Sequence, residues 1–194
     1  QEGQAQHIME RQLRGSLEAS GIRRALEKSK DEPFDMRYCN ADHDVGTLAA
    51  ALGQARFGRL CFHGQPGTGK TAFARYLADQ MALPLLEKRA SDLLDMYVGG
   101  TEKNLARAFV QAQEDGAILL IDEADTFLAD RSTAHRQWEV SQTNELLSQM
   151  EAFNGLLIVT TNRFDNLDGA ALRRFDFKVK FHCLRPEQVW AWFC

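Results

Sequence analysis

The feature that most constrains this sequence is a glycine-rich stretch between a short apolar run and an amphipathic one. The stretch reads Gly64-Gln65-Pro66-Gly67-Thr68-Gly69-Lys70-Thr71. Its glycines allow backbone conformations in which successive N–H groups converge on one anion. A strand predicted at 60–63 and a helix at 70–81 flank the loop, and the helix adds the positive end of its dipole. The pattern GxxxxGK[ST] in this setting predicts a phosphate-binding loop.

Two side chains at the end of the loop carry the expected chemistry. Lys70 offers a positive charge to the β- and γ-phosphates of a nucleotide, and the hydroxyl of Thr71 is placed to ligate Mg²⁺. We therefore expect ATP and Mg²⁺ as cofactors. The alternative is a glycine-rich turn without a ligand, and the flanking strand and helix argue against it.

An acidic pair ends a second apolar run. Residues 118–121 are all apolar, and Asp122 and Glu123 follow them directly. A carboxylate at the end of a buried strand holds Mg²⁺ through water, which is the role we predict for Asp122. Glu123 would orient and partly deprotonate the water that attacks the γ-phosphate. A solvated strand end is the alternative, but the nearby phosphate loop favours the catalytic interpretation.

The spacing of apolar residues predicts an α/β fold. Short apolar runs alternate with amphipathic segments from about residue 45, as in a parallel sheet covered by helices. Strands are predicted at 60–63, 85–88, 117–122, 156–160 and 177–181, and helices at 70–81, 102–113 and 137–150. We expect a three-layer sandwich around a central parallel five-stranded sheet, with ligands at the carboxyl ends of the strands.

The composition bounds the class of protein. A chain of 194 residues with 44% hydrophobic residues supports one main domain. The net charge of −4 argues against a protein whose main function is to bind nucleic acid. Four dispersed cysteines, without a CxxC pair, indicate neither a metal site nor a redox motif and fit a reducing cytoplasm. No apolar stretch is long enough for a membrane span, so we expect a cytoplasmic protein.

The domain boundaries follow from changes in pattern. Residues 1–32 are predicted to be a helical segment docked on the core, or a linker, with a partner-binding helix as the less favoured alternative. Residues 33–183 are the α/β core, and 184–194 begin a helical lid that is mostly missing. The sequence starts at Gln1 and stops at Cys194 within a helical pattern, which indicates a piece of a longer protein.

Four motifs in order resemble those of the AAA family of ATPases across roughly residues 45–185. They are the phosphate loop, the Asp122-Glu123-Ala124-Asp125 strand end, the Val159-Thr160-Thr161-Asn162 strand end and the arginine-bearing segment 168–176. The resemblance implies a P-loop NTPase fold and ATP hydrolysis. It assigns Asn162 a polar sensor role at the γ-phosphate or the attacking water; a simple turn residue is the alternative.

The resemblance also implies an assembly. Arg173 and Arg174 resemble arginine fingers, which family members insert into the site of the adjacent subunit to stabilise the transition state. A ring, commonly of six subunits, follows from that role. Solvated surface arginines are the alternative, and the sequence leaves open which of the two dominates.

The substrate is inferred from a loop between the second strand and the following helix. There the resemblance places a pore loop, whose Tyr97 and Val98 would intercalate between the side chains of an extended polypeptide. A buried tyrosine that anchors the loop is the alternative. Protein remodelling or unfolding is therefore the leading function, and a polypeptide the expected partner.

Other functions stay open at this stage. One is a loader or helicase-like motor on DNA, which the acidic charge and the Tyr97 loop disfavour. Another is a nucleotide switch or scaffold that does not hydrolyse ATP, against which the Asp122-Glu123 pair and the arginines argue. Residues 41–46 lie where family members contact adenine, but closer to the phosphate loop than usual, so the adenine contacts are poorly placed.

Overall fold

A computed structural model describes residues 22–23, 34–97, 99–129 and 137–193. Its centre is a six-stranded sheet in the order β1-β3-β4-β5-β2-β6. The strands are β1 (Ile22–Arg23), β2 (Gly58–Gly64), β3 (Leu85–Arg89), β4 (Ile118–Asp122), β5 (Leu156–Thr161) and β6 (Phe177–Phe181). The helices are α1 (Val45–Ala55), α2 (Lys70–Met81), α3 (Ala90–Leu93), α4 (Gly100–Asp115), α5 (Gln137–Ala152), α6 (Gly169–Arg174) and α7 (Pro186–Phe193).

The five predicted strands all form, and all five pair in parallel. The sheet carries one more strand than expected, because β1 pairs antiparallel with the edge strand β3. Of the predicted helical segment 1–32, only this pair of residues lies within the described part of the chain, and it is extended rather than helical. An extended pair satisfies backbone groups that the edge of β3 would leave open.

Helices cover both faces of the sheet, so the predicted three-layer arrangement is confirmed. Neighbouring residues of β4 face opposite layers: Leu119 and Ile121 pack in the cluster with α4 and α5, while Ile118 and Leu120 pack in the cluster with α1 and α2. All four side chains are fully buried. This explains why the strand is apolar at every position rather than at alternate ones.

The helix after the phosphate loop follows the sequence pattern closely. Its buried residues recur at helical spacing: Phe73, Ala74, Leu77, Ala78 and Met81. The helix begins after Gly69 and ends at Ala82, both in the left-handed conformation. Because its apolar face packs on the sheet, the N-terminus of α2 is held at the carboxyl end of β2, where the loop leaves the sheet.

The prediction missed three helices, α1, α3 and α6. In α1, Asp44 caps the N-terminus, since its carboxylate accepts hydrogen bonds from the N–H of Gly46 at 3.0 Å and the hydroxyl of Thr47 at 2.6 Å. Two glycines lower the intrinsic helix propensity of this segment. Burial of Leu48 and Leu52 against the sheet compensates for that cost.

Among the helices in the described residues, none has the length and apolarity that crossing a membrane requires.

Candidate active site

The carboxyl ends of three neighbouring strands bring the predicted site residues to one edge of the sheet. Ile121 of β4 is opposite Val159 of β5, and His63 of β2 is opposite Thr161 of β5. One residue further along, Asp122 is level with Thr160 and Gly64 is level with Asn162, so these residues lie within two positions of one another at the same edge. The strand order, with β5 between β4 and β2, is what gathers residues from three distant parts of the chain.

Lys70 is the centre of the site. Its side chain is buried, and its Nζ donates hydrogen bonds to the carbonyls of Gly64 and Gln65, each at 2.8 Å, and to Oδ1 of Asn162 at 2.9 Å. Burial lowers the pKa of Lys70, and the carboxylates of Asp122, Asp125 and Glu123 oppose that shift. The ammonium group is therefore held beside the phosphate loop by three neutral acceptors, which are two backbone carbonyls and one side-chain amide oxygen.

The glycine loop has the backbone geometry of an anion cradle. Gly64, Gly67 and Gly69 have φ values of 143°, 78° and 91°, a region that side chains with a Cβ rarely adopt. At Gly64 a Cβ would also lie 2.1 Å from the carbonyl oxygen of Phe181. No described residue accepts a hydrogen bond from the N–H groups of Gly67, Gly69 or Lys70. These donors at the start of α2 are suited to phosphate oxygens.

The oxygens that suit Mg²⁺ lie beside the loop. The Thr71 hydroxyl donates to both carboxylate oxygens of Asp122 at 3.1 Å, and the Thr160 hydroxyl donates to Oδ1 of Asp122 at 2.5 Å. The described residues contain no cluster of three or more His, Cys, Asp or Glu side chains able to hold a metal. A hydroxyl and one carboxylate fit Mg²⁺, which typically takes its remaining ligands from water and phosphate.

Glu123 follows the strand in an unusual conformation. Its φ of 56° is left-handed, which is uncommon for a residue with a Cβ. Its backbone N–H donates to the Thr160 hydroxyl at 2.9 Å, which holds this turn in place. The side chain is exposed, and no described residue donates to its carboxylate. The carboxylate is thus available to a water molecule at the site.

Asp125 organises the loop that carries Asn162. Its Oδ1 accepts a hydrogen bond from the Thr161 hydroxyl, from the N–H of Asn162 at 3.1 Å and from the N–H of Arg163 at 3.2 Å. Thr160 and Asp125 belong to motifs recognised in the sequence, but no role was predicted for either residue. The sequence feature that could have indicated a role is the position of each residue: Thr160 lies near the end of β5, and Asp125 follows the end of the neighbouring strand β4.

A ring stack supports the same loop from the other side. His63 is 8% exposed and stacks on Phe164, with ring centroids 3.7 Å apart and an interplanar angle of 17°. Burial lowers the pKa of His63, and the nearby Lys180 and His182 act in the same direction. This contact joins the end of β2 to the turn after Asn162, and the sequence analysis missed it.

The two arginines are not part of this chain's own site. They end α6, and the following Asp176 exchanges hydrogen bonds with the backbone of Arg59 at the start of β2. The phosphate loop begins at the other end of β2, roughly 16 Å away at about 3.3 Å per residue. Arg174 binds Glu151 at 2.6 Å and the carbonyl of Ala170 at 3.0 Å, whereas Arg173 is exposed and binds no described residue.

The predicted substrate loop is partly described. Tyr97 is 74% exposed and Met96 is 89% exposed, so the alternative of a buried anchoring tyrosine is wrong. The backbone of Tyr97 is nevertheless fixed, because its N–H donates to Asp95 at 2.9 Å and its carbonyl accepts from Gly100 at 3.0 Å. Val98 lies outside the described residues.

Residues near the expected adenine contacts form a short antiparallel pairing. Ala41 bridges to Phe181 at the end of β6, and Asp42 binds the backbone of Lys180 through both its N–H and its carboxylate. The segment is therefore fixed beside the phosphate loop rather than free.

The sequence is similar to those of several known proteins. Residues 60–183 match the family described as "ATPase family associated with various cellular activities (AAA)". The chain is 36% identical over 141 residues to an ATP-dependent zinc metalloprotease FtsH of Lachnoclostridium phytofermentans. This match covers 68% of the chain and 24% of the relative. It is 39% identical over 138 residues to proteasome-activating nucleotidase 2 of Halobacterium salinarum. This match covers 66% of the chain and 34% of the relative.

A eukaryotic relative gives a similar result. The 26S proteasome regulatory subunit 8 homolog of Naegleria fowleri is 35% identical over 145 residues, covering 69% of the chain and 35% of the relative. The matched region thus makes up only a quarter to a third of the length of these three proteins.

Proposed function

The chain belongs to the AAA family of ATPases, and from this premise we propose that it binds ATP with Mg²⁺ and hydrolyses it to remodel or unfold polypeptides within a ring of subunits. The observation that carries the proposal is a set of two hydrogen-bonded pairs at one edge of the sheet, Lys70 with Asn162 and Thr71 with Asp122. A nucleoside triphosphate bound at the N-terminus of α2 would contact all four residues.

The binding step uses the loop and the start of α2. The free N–H groups of Gly67, Gly69 and Lys70 would donate to phosphate oxygens, and the Lys70 ammonium would exchange its carbonyl acceptors for the β- and γ-phosphates. Thr71 and Asp122 would hold Mg²⁺. When bound, the metal neutralises charge on the phosphates.

The hydrolytic step uses groups at the ends of β4 and β5. Glu123 would accept a hydrogen bond from water and take its proton as the oxygen approaches the γ-phosphorus. Asn162, held by Asp125, would fix the position of the γ-phosphate or of that water. Its present hydrogen bond to Lys70 links the two parts of the site before nucleotide binds.

Turnover would also need a neighbouring subunit. Both arginines lie near the far end of β2, away from the phosphate loop of their own chain. We assign the finger role chiefly to Arg173, because it is exposed and unpaired among the described residues, while Arg174 is tied to Glu151. A ring, of six subunits as is common in the family, would bring Arg173 of one subunit to the phosphates of the next.

The polypeptide substrate is proposed from the exposed loop before α4. Tyr97 and Met96 present apolar surface on a fixed backbone, and such surface on a loop marks a binding site. The relatives named as a protease and as proteasome components support a protein substrate. We place the protein in the cytoplasm.

The test is ATP turnover of the full-length protein at increasing concentration, with unfolded polypeptide or with DNA. We expect the rate per subunit to rise with concentration and to increase further with polypeptide. Stimulation by DNA alone would instead favour a nucleic-acid motor.

A mixing experiment isolates the arginine. Arg173→Ala keeps its own site and lacks the finger, while Glu123→Gln keeps the finger and lacks turnover. An equal mixture should recover activity that neither variant has alone. If the mixture stays as inactive as its components, the role in trans is refuted.

A further inference from the structure

An antiparallel pairing beside the phosphate loop has a register that, continued outward, brings two cysteines opposite one another. The antiparallel bridge between Ala41 and Phe181 sets a register in which each step back along one segment is a step forward along the other. The N–H of His182 donates to the carbonyl of Asn40 at 2.7 Å, as this register requires. Continued by one further residue, this register pairs Cys39 with Cys183.

The backbone hydrogen bonds show which positions of this antiparallel pairing are hydrogen-bonded pairs and which are non-hydrogen-bonded pairs. The pairs Asp42 with Lys180 and Asn40 with His182 are joined by backbone hydrogen bonds, so the alternate pairs are not. Cys39 and Cys183 therefore fall at a non-hydrogen-bonded position. At such positions the Cα atoms lie about 4.5 Å apart with the side chains on one face, within the roughly 4.4–6.8 Å that a disulfide spans.

Contacts on the far side of the pair keep the two segments together. Cys39 is extended, with φ −100° and ψ 125°. The side-chain amide of Asn40 donates to the carbonyl of Cys183 at 2.7 Å, and that of Gln188 donates to the carbonyl of Arg37 at 2.8 Å. Along the two segments, the cysteines are thus flanked by the Ala41–Phe181 bridge on one side and by the contact of Arg37 with α7 on the other.

The two thiols differ in access. Cys183 is exposed, and its Sγ lies 3.3 Å from Oε1 of Gln65 in the phosphate loop. Cys39 is half-buried, and burial raises the pKa of its thiol to about 11. Cys183 is therefore the thiol that a reagent reaches first, and Cys39 is the neighbour that reacts second.

We propose that Cys39 and Cys183 are a modification site, at which a low-molecular-weight disulfide converts the pair into a reversible intramolecular disulfide beside the phosphate loop. The Cys183 thiolate attacks the reagent, forms a mixed disulfide and releases one reagent thiol. Cys39 then loses its proton to solvent and attacks the Cys183 sulfur, which releases the second reagent thiol. The two cysteines lose two electrons and the reagent gains two.

The bridge would tie the segment before α1 to the segment after β6. Its formation takes the Cys183 sulfur away from its contact with Gln65. The inference rests on the strand register and not on the proposed ATPase activity, so either can fail without the other.

The experiment uses oxidised glutathione on the folded protein, followed by trypsin without reduction and mass spectrometry. The native protein should yield the peptide that starts at Tyr38 joined to the one that starts at Phe181, two hydrogens lighter than their sum. Fragment ions distinguish Cys183 from Cys194, which share a peptide. Dithiothreitol should release the link.

Single variants test the order of reaction. Cys39→Ser should retain one glutathione on Cys183, because the second thiol is missing, and Cys183→Ser should react far more slowly. Cys61, fully buried with a pKa raised by burial to about 12, serves as an unreactive internal control.

Three outcomes would overturn the proposal. They are a native protein that retains glutathione on Cys183 without a link, a link from Cys183 to Cys194, and a Cys39–Cys183 link that forms equally fast in urea. The last would show that the fold does not bring the pair together.

Discussion

The ammonium of Lys70 donates a 2.9 Å hydrogen bond to Oδ1 of Asn162, although 92 positions separate the two residues in the sequence. The bond crosses from the start of α2 to the end of β5 and joins the phosphate loop to the proposed sensor. Lys70 also donates to the carbonyls of Gly64 and Gln65, and the backbone N–H of Asn162 donates to Asp125, so both residues are positioned before a ligand arrives.

Lys70→Ala should abolish ATP binding. The change removes the charge that meets the phosphates, and charged hydrogen bonds of about 1.5–3 kcal/mol each imply a loss of roughly 100-fold or more in affinity. Titration with a fluorescent ATP analogue measures it. The matched control is Lys103→Ala, an exposed lysine on α4, which should bind as the parent does. Equal affinities for all three proteins would contradict the assignment of Lys70.

Glu123→Gln should bind ATP normally and fail to turn it over. The amide keeps the shape of the side chain but cannot take a proton, which costs about 10²–10⁴-fold in rate. Phosphate release and nucleotide affinity are measured on the same preparation. Glu114→Gln, at an exposed position near the end of α4, is the control. A Glu123→Gln variant with parental turnover would show that another group activates the water.

The two arginines should separate into a catalytic and a structural residue. Arg173→Ala should lower turnover by about 10³-fold or more while leaving stability within about 0.5 kcal/mol. Arg174→Ala should lower the free energy of unfolding by roughly 0.5–2 kcal/mol, since it loses Glu151 and a carbonyl partner. Urea unfolding and turnover of both variants decide between them. The reverse pattern would make Arg174 the finger.

Asp125→Ala should reduce turnover more than ATP affinity. Without the carboxylate, the N–H groups of Asn162 and Arg163 lose their acceptor, and the sensor loop is no longer fixed. We expect about 2–4 kcal/mol of lost stability for removing several partners, and partial rescue in Asp125→Asn, which retains one acceptor oxygen. Turnover and affinity are measured separately. A change in affinity alone, with turnover intact, would exclude the positioning role.

The stability of the fold should depend on the protonation of His63. Burial, Lys180 and His182 lower its folded-state pKa, and Asp42 and Asp165 oppose them. Between that value and the unfolded value of about 6.5, the unfolded chain binds more protons. The contribution of neutral His63 to the free energy of unfolding is therefore fully present above about pH 6.5. It is lost as the pH falls through the folded-state pKa.

His63→Phe tests this dependence, because it keeps a ring against Phe164 and removes the titration. The free energy of unfolding, measured by urea at pH 7.5 and 5.5, should fall less for the variant than for the parent. An identical fall in both proteins would assign the pH dependence to other groups.

Much of the fold could be predicted because its signals are local. The apolar runs gave all five parallel strands, since a strand buried on both faces must be apolar throughout. The register also agreed with the expectation that Asn162 ends a strand beside that of Asp122. Helix α1 was missed because its glycines oppose a helix that packing stabilises, and β1 because a two-residue strand has no periodicity to read.

The sequence by itself determined the phosphate loop, the acidic strand end and the apolar strands, because each depends on backbone conformation or burial over a few consecutive residues. Only the tertiary structure decided which groups meet. It brought the carboxylate of Asp125 to the N–H of Asn162, tied Arg174 to Glu151 while leaving Arg173 exposed, and paired Ala41 with Phe181 in the register on which the Cys39–Cys183 proposal rests. These pairings depend on strand order and helix packing, which place residues far apart in the chain within a few ångströms and leave no trace in local spacing.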